Sequence, residues 1–152
     1  MANTYTQLYF HIVFAVKGRN NLIINKFKND LYKYITGIVT NKNQKLIIIN
    51  GMPDHIHILL STKPNCNLSD LVRDIKANSS KWINENDFIP TKFEWQTGFG
   101  AFTVSQSNIK VVLNYIKKQE EHHKKKSFKN EYIDFLKAYE IDYDDKYIFT
   151  DE

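Results

Sequence analysis

The chain has 152 residues, 42 % of them hydrophobic and 25 % charged, which excludes a disordered or membrane-embedded polypeptide and suits a single domain spanning 1–152. Lys and Arg number 21 against 17 Asp and Glu, so the net charge of +4 and pI near 9.0 are compatible with a polyanionic partner without naming one. The single Cys66 excludes an internal disulfide or a Cys-rich zinc centre and fits a reducing cytoplasm, and no apolar run approaches the ~20 residues of a membrane span.

From Tyr5 to Val16, β-branched and aromatic residues predict a strand, closed by the turn-forming Lys17-Gly18-Arg19-Asn20. Phe27, Leu31, Tyr34, Ile35 and Ile38 then recur at helical spacing, predicting a helix over Lys26 to Val39. Lys45 to Asn50 and Ile56 to Leu60 are apolar runs separated by Gly51-Met52-Pro53-Asp54, the pattern of a hairpin. Asn67 or Ser69 is suited to cap a second helix with the stripe Leu68, Leu71 and Ile75. Phe93 to Ser105, with Trp95, Phe99 and Phe102 around Gly98 and Gly100, suggests an edge strand or bulge. A third helix starts at Ser107 or Asn108, carries Ile109, Val112, Leu113 and Ile116, and runs toward His123; a short helical tail covers Asn130 to Tyr139. The expected fold is therefore α+β: a ferredoxin-like split βαβ antiparallel sheet, with helices on one face, the other face free, and an appended C-terminal helix bearing Tyr115.

Side chains alternate across a strand, so His55 and His57 share one face while Ile56, Ile58 and Leu60 take the opposite, helix-covered face. Two imidazoles so placed can hold one metal ion, although a bare His-x-His is a weak motif and by itself favours half-exposed strand histidines without a ligand. Tyr115 and Gln119 lie four apart and stack on one side of the third helix, flanking its apolar stripe. A phenol with a pKa near ~10 is a poor nucleophile at neutral pH and needs a metal or base beside its electrophile. With His55 and His57 as ligands and the Gln119 amide oxygen as a third, such an ion would act on a phosphate as a Lewis acid. Glu120-Glu121-His122-His123 lacks the His-Glu-x-x-His spacing of a zinc protease.

Three segments, Pro53-Asp54-His55-Ile56-His57-Ile58-Leu59, Trp95-Gln96-Thr97-Gly98-Phe99-Gly100-Ala101-Phe102 and Tyr115-Ile116-Lys117-Lys118-Gln119-Glu120-Glu121-His122-His123, together resemble the HUH single-tyrosine transposases of small, IS200-like bacterial insertion sequences. The likeness runs over almost the whole chain, and no departure touches the two histidines around Ile56 or the Tyr115-to-Gln119 spacing. The resemblance implies a metal-dependent enzyme that nicks and joins single-stranded transposon ends through a 5′-phosphotyrosine, with Tyr115 as nucleophile and His55, His57 and Gln119 as ligands. It also implies single-stranded DNA with subterminal hairpins as substrate, and a homodimer in which the tyrosine helix of one subunit completes the histidine site of the other. Two imidazoles alone suit zinc or other transition metals, whereas an amide oxygen, water and phosphate suit Mg²⁺ or Mn²⁺; the resemblance selects Mg²⁺ or Mn²⁺.

Lys117, Lys118, Lys124 and Lys125, with Lys126 and Lys129, straddle and follow the tyrosine helix, where they can neutralise phosphates. Lys17, Arg19, Arg73 and Lys76 are further candidates for hairpin backbone contacts. Trp95, Phe99 and Phe102 could stack unpaired bases or belong to a core or dimer interface. The register of His11 is open. Two other readings compete with the transposase: a non-catalytic ferredoxin-like nucleic-acid-binding module, and a domesticated or replication-initiator nickase with the same two-histidine site.

Overall fold

A computed structural model of the chain describes residues 4–123 and 126–144. Strand β1 (Leu8–Ala15) leads through a tight turn into helix α1 (Asn25–Asn41), followed by the hairpin β2 (Lys45–Met52) and β3 (His55–Thr62), helix α2 (Leu68–Glu85) and strand β4 (Gly100–Val104). Three helices complete the described part: α3 (Ile109–Lys117), α4 (Gln119–His123) and α5 (Phe128–Ala138). The strands form one sheet in the order β2-β3-β1-β4, with every neighbouring pair antiparallel. This is the split βαβ arrangement expected from the order of elements.

The main core lies where α1 and α2 cover one sheet face. Phe27, Leu31, Ile35 and Val39 of α1 and Leu71, Val72, Ile75 and Ile83 of α2 meet Ile12, Phe14, Ile56, Ile58 and Leu60. Asn67 caps α2 by accepting from the Asp70 backbone N–H. The opposite face is not free, contrary to expectation. Ile116 of α3 seals it over Leu59 and Val104, while Phe128, Tyr132 and Leu136 of α5 seal it over Val13, Ala15 and Phe102. Both faces of β1 are thus covered, which explains its nearly unbroken apolar run.

Two other elements differ from the sequence reading. Of Phe93 to Ser105 only Gly100–Val104 is a strand, and the preceding segment pairs its backbone through the isolated bridge Val16–Trp95. The tyrosine helix does not run unbroken to His123, because Lys118 adopts φ −102° and ψ 30° and divides α3 from α4. Asn50 of β2 compensates at that break, its amide donating to the carbonyl oxygens of Ile116 (3.0 Å) and Lys117 (3.2 Å).

Candidate metal and nucleophile site

The hairpin geometry places the first two donors. Gly51 faces Ile56 across it, and a Cβ at Gly51 would lie 2.2 Å from the His55 carbonyl oxygen, so only glycine permits this approach. His55 and His57 project from β3 onto the face covered by α3–α5, and both are fully buried. Asp54, the last turn residue, accepts from His55 Nδ1–H at 2.7 Å and pairs with Arg19 at 3.4 Å. Burial by itself would raise the Asp54 carboxyl, but its hydrogen bond and charge interaction with His55, aided by Arg19, outweigh this and hold it below the ordinary carboxylate range. The Arg19 guanidinium also lies 5.2 Å from the Phe128 ring centre, joining the β1–α1 turn to the start of α5.

Helix α4 brings Gln119 to the same spot, with its Oε1 3.3 Å from His55 Nε2. With the proton of a neutral His55 ring committed to Asp54, Nε2 presents a lone pair toward an amide oxygen that has none to give. The Gln119 Nε2 amine is buried without a partner among the described residues. Two acceptors facing each other in this way suit a cation between them.

Glu131, which the sequence reading passed over, supplies an anionic oxygen. It is 4 % exposed, and its Oε1 lies 3.0 Å from His57 Nε2 and 3.9 Å from His55 Nε2. Ligands ~2.1 Å from a common ion stand ~3.0 Å apart at right angles and ~4.2 Å apart on opposite sides. Separations of 3.0, 3.3 and 3.9 Å fall within that range, and one donor atom from each of His55, His57 and Glu131 lies within 4.8 Å of the others. The donor set therefore fits a divalent cation. Its one visible signal in sequence is an acid within the apolar stripe Phe128, Tyr132, Phe135 and Leu136 of α5.

The Tyr115 hydroxyl donates to Glu131 Oε2, and its ring lies 6.0 Å from that of His57. Burial, then the negative charge of Glu131 and this hydrogen bond, push the phenol well above its ordinary pKa, while the neighbouring Gln119 amide works in the opposite direction. Although the helix breaks at Lys118, Tyr115 and Gln119 remain on one side of it, as their spacing predicts. His11, left open by the sequence, points into the same site, its Nε2 2.8 Å from His57 Nδ1. Burial, then the neighbouring His57, lower its pKa to about 3, with Glu131 opposing, so the ring is neutral at ordinary pH.

The basic candidates divide. Lys117 and Lys118 are exposed at the end of α3, and Arg73 is exposed on α2 beside Asp70 and Asp74. Lys17 is exposed and pairs with Glu94 at 3.0 Å. Arg19 faces Asp54. Lys76 donates to the carbonyl oxygens of Gln96 (2.9 Å) and Gly98, and its burial lowers its pKa to about 8. Lys124 and Lys125 lie outside the described residues. Trp95 packs edge-on against Phe14 and Phe93 and donates to Ser79 Oγ at 2.9 Å, Phe99 packs against the main core, and Phe102 is buried beneath α5. These aromatic side chains serve the cores.

The IS200-like transposase profile matches residues 4–119. The ISDra2 transposase TnpA of Deinococcus radiodurans is 26 % identical over 122 residues, covering 74 % of this chain and 84 % of that protein. The transposase of insertion sequence IS200 from Salmonella typhimurium is 28 % identical over 130 residues, covering 82 % of this chain and 84 % of its own length. Among solved structures, a Deinococcus radiodurans protein described as a transposase superposes with a TM-score of 0.63 at 22 % identity, covering 78 % of this chain and 95 % of the other. A REP-associated tyrosine transposase bound to a REP hairpin superposes with a TM-score of 0.57 at 13 % identity, covering 82 % and 72 %. The profile match over most of its length establishes that the chain belongs to the IS200-like transposase family.

Proposed function

We propose that this transposase nicks and rejoins single-stranded DNA at insertion-sequence ends in a metal-dependent reaction, through a 5′-phosphotyrosine on Tyr115. The observation that carries the reading is the convergence of His55, His57, Gln119 and Glu131 beside the Tyr115 hydroxyl in one buried spot. Burial and the Glu131 charge keep the phenol protonated at rest. Glu131 Oε2, which already accepts that O–H, is placed to hold the proton as the tyrosine oxygen bonds to phosphorus. The phosphorus–O3′ bond breaks, leaving the 5′-phosphate on Tyr115 and, after protonation, a free 3′-hydroxyl. A divalent cation held by His55, His57, Gln119 and Glu131 would draw charge from the scissile phosphate. The Gln119 side-chain amide NH₂, which makes no hydrogen bond among the described residues, is available to a phosphate oxygen. Because the tyrosyl ester conserves the phosphodiester bond energy, a second 3′-hydroxyl can displace Tyr115 and rejoin DNA without a nucleotide cofactor.

Adding a carboxylate to two imidazoles and an amide oxygen hardens the donor set, which favours Mn²⁺ or Mg²⁺. The hairpin in the REP-associated relative supports subterminal hairpins as the substrate feature, and the exposed Lys17, Arg73, Lys117 and Lys118 offer phosphate contacts. A DNA substrate of this kind supports a cytoplasmic location. Among the described residues no helix is long and apolar enough to cross a membrane. The non-catalytic alternative loses support, since the sheet face it would use to stack bases is covered by α3 and α5.

Incubation with a hairpin oligonucleotide from the flanks of its own gene, plus Mn²⁺, is expected to yield a denaturation-resistant protein–DNA adduct that disappears in Tyr115→Phe and His57→Ala. An adduct that persists in Tyr115→Phe overturns the assignment of the nucleophile. Mixing those two inactive variants restores the adduct if subunits exchange their tyrosine helices. It leaves none if the site closes within one chain.

A further inference from the structure

His11 belongs to neither the donor set nor the nucleophile, yet it is only 3 % exposed. Val13 pairs with His57 across β1 and β3, so His11, two residues back on the same face, reaches His57 diagonally. Its ring is walled by Phe135 at 5.2 Å, Phe102 at 6.2 Å and Tyr115 at 6.4 Å, and its Nε2 meets His57 Nδ1 at 2.8 Å.

A neutral imidazole has one N–H to place. Without an ion, the Glu131 carboxylate 3.0 Å from His57 Nε2 accepts an N–H there, so Nδ1 of a neutral His57 is an acceptor and His11 Nε2–H donates to it. A histidine that ligates a cation through Nε2 needs its lone pair there and its proton on Nδ1, which then requires an acceptor opposite. We propose that His11 is a positioning residue whose hydrogen bond to His57 reverses on cation binding, holding His57 as the Nδ1–H tautomer with its Nε2 lone pair on the ion. The protons balance: His57 releases its Nε2 proton to water and receives that of His11 Nε2 on Nδ1, while His11 takes one from water on its own Nδ1. The pair binds the same number of protons before and after. The inference rests on the reading that His55 and His57 hold a divalent cation.

The test uses the whole chain with ¹⁵N-labelled histidine, assigned through His11→Gln, and reads two-bond ¹⁵N–¹H couplings with and without saturating Mg²⁺. Both rings are expected to carry Nε2–H in the free protein and Nδ1–H in the loaded one. An unchanged His11 tautomer at saturation overturns the proposal. By Mn²⁺ calorimetry, His11→Leu is expected to bind about 10- to 100-fold more weakly, while His11→Gln, whose amide can donate or accept near the same position, stays within about three-fold of wild type. Melting curves in EDTA verify that both variants fold. Wild-type affinity in His11→Leu, or equal loss in both folded variants, refutes the hydrogen-bond role. Absence of Mn²⁺ and Mg²⁺ binding in the wild type instead refutes the cation site, and the inference with it.

Discussion

Gly100→Ala perturbs the site without touching any donor. Gly100 is buried in β4 opposite Val13, and a Cβ there would lie 2.6 Å from Cε1 and 2.7 Å from the hydroxyl of Tyr132. Carbon atoms make favourable contact near ~3.6 Å, so the ring must retreat by about 1 Å. Tyr132 is 8 % exposed and packs on Phe128 and Phe102, which restricts that retreat to a shift of α5. Overpacking of this kind costs about 2 kcal/mol, which for a domain of this size lowers Tm by about 4–8 °C. Glu131 precedes Tyr132 on α5, so the same shift draws its carboxylate away from His57. The expected result is a lower melting temperature in EDTA together with weaker Mn²⁺ binding by calorimetry. In a Tyr132→Leu background, where the obstructing ring is gone, Gly100→Ala is expected to lose most of both effects. A Gly100→Ala protein that melts within about 1 °C of wild type and binds Mn²⁺ equally well would refute the packing argument.

Four further outcomes concern other groups of the protein. The His11 pKa falls from 6.5 in the unfolded chain to about 3 in the fold through burial and then His57, against the opposing Glu131 charge, so its contribution to stability is full above pH 6.5 and is lost as pH falls toward 3. Between pH 7 and pH 5, urea unfolding of the metal-free wild type is expected to show about 2 kcal/mol more loss than that of His11→Leu, and equal losses refute it. Asp54→Ala frees the His55 ring to turn and is expected to weaken Mn²⁺ binding about ten-fold or more, with unchanged affinity as the contrary result. Lys117→Ala combined with Lys118→Ala is expected to reduce the salt slope of hairpin binding by about 1.4 to 1.8, two charges at about 0.7–0.9 each. Lys76→Met, whose ammonium in the wild type is held by loop carbonyls, leaves that slope unchanged; a fall as large as that of the double variant would show Lys76 reaching DNA.

The strand histidines were legible because alternation over His55 to Leu60 separates imidazoles from Ile56, Ile58 and Leu60 without any knowledge of the partners. Tyr115 and Gln119 were legible through helical spacing, and a break at Lys118 left them together. His11 was not, because Ile12 to Val16 are buried on both sheet faces, so no polar alternation marks which way β1 is turned. Glu131 was missed because its significance depends on α5 folding back over the sheet, a tertiary placement that local periodicity does not contain. The same fold-back explains why the second sheet face was expected to be open. The edge strand was overextended because aromatic content around Trp95 suggested pairing, whereas Lys76 and Asn84 hold that segment through its backbone.

The donors of the site come from a hairpin strand, a helical turn some sixty residues later and a final helix, with Arg19 near the start of the chain bracing Asp54 and Phe128. No short stretch of the unfolded polypeptide can assemble them, so an ion captured there binds the native state almost exclusively. On the proposed metal-dependent reading, cation concentration would act on folding as well as on chemistry, adding about 2.7 kcal/mol of stability at a hundred-fold excess over Kd. A transposase built on that proposal would be at once less active and more easily degraded when divalent cations are scarce, coupling its abundance to the ion proposed for its reaction.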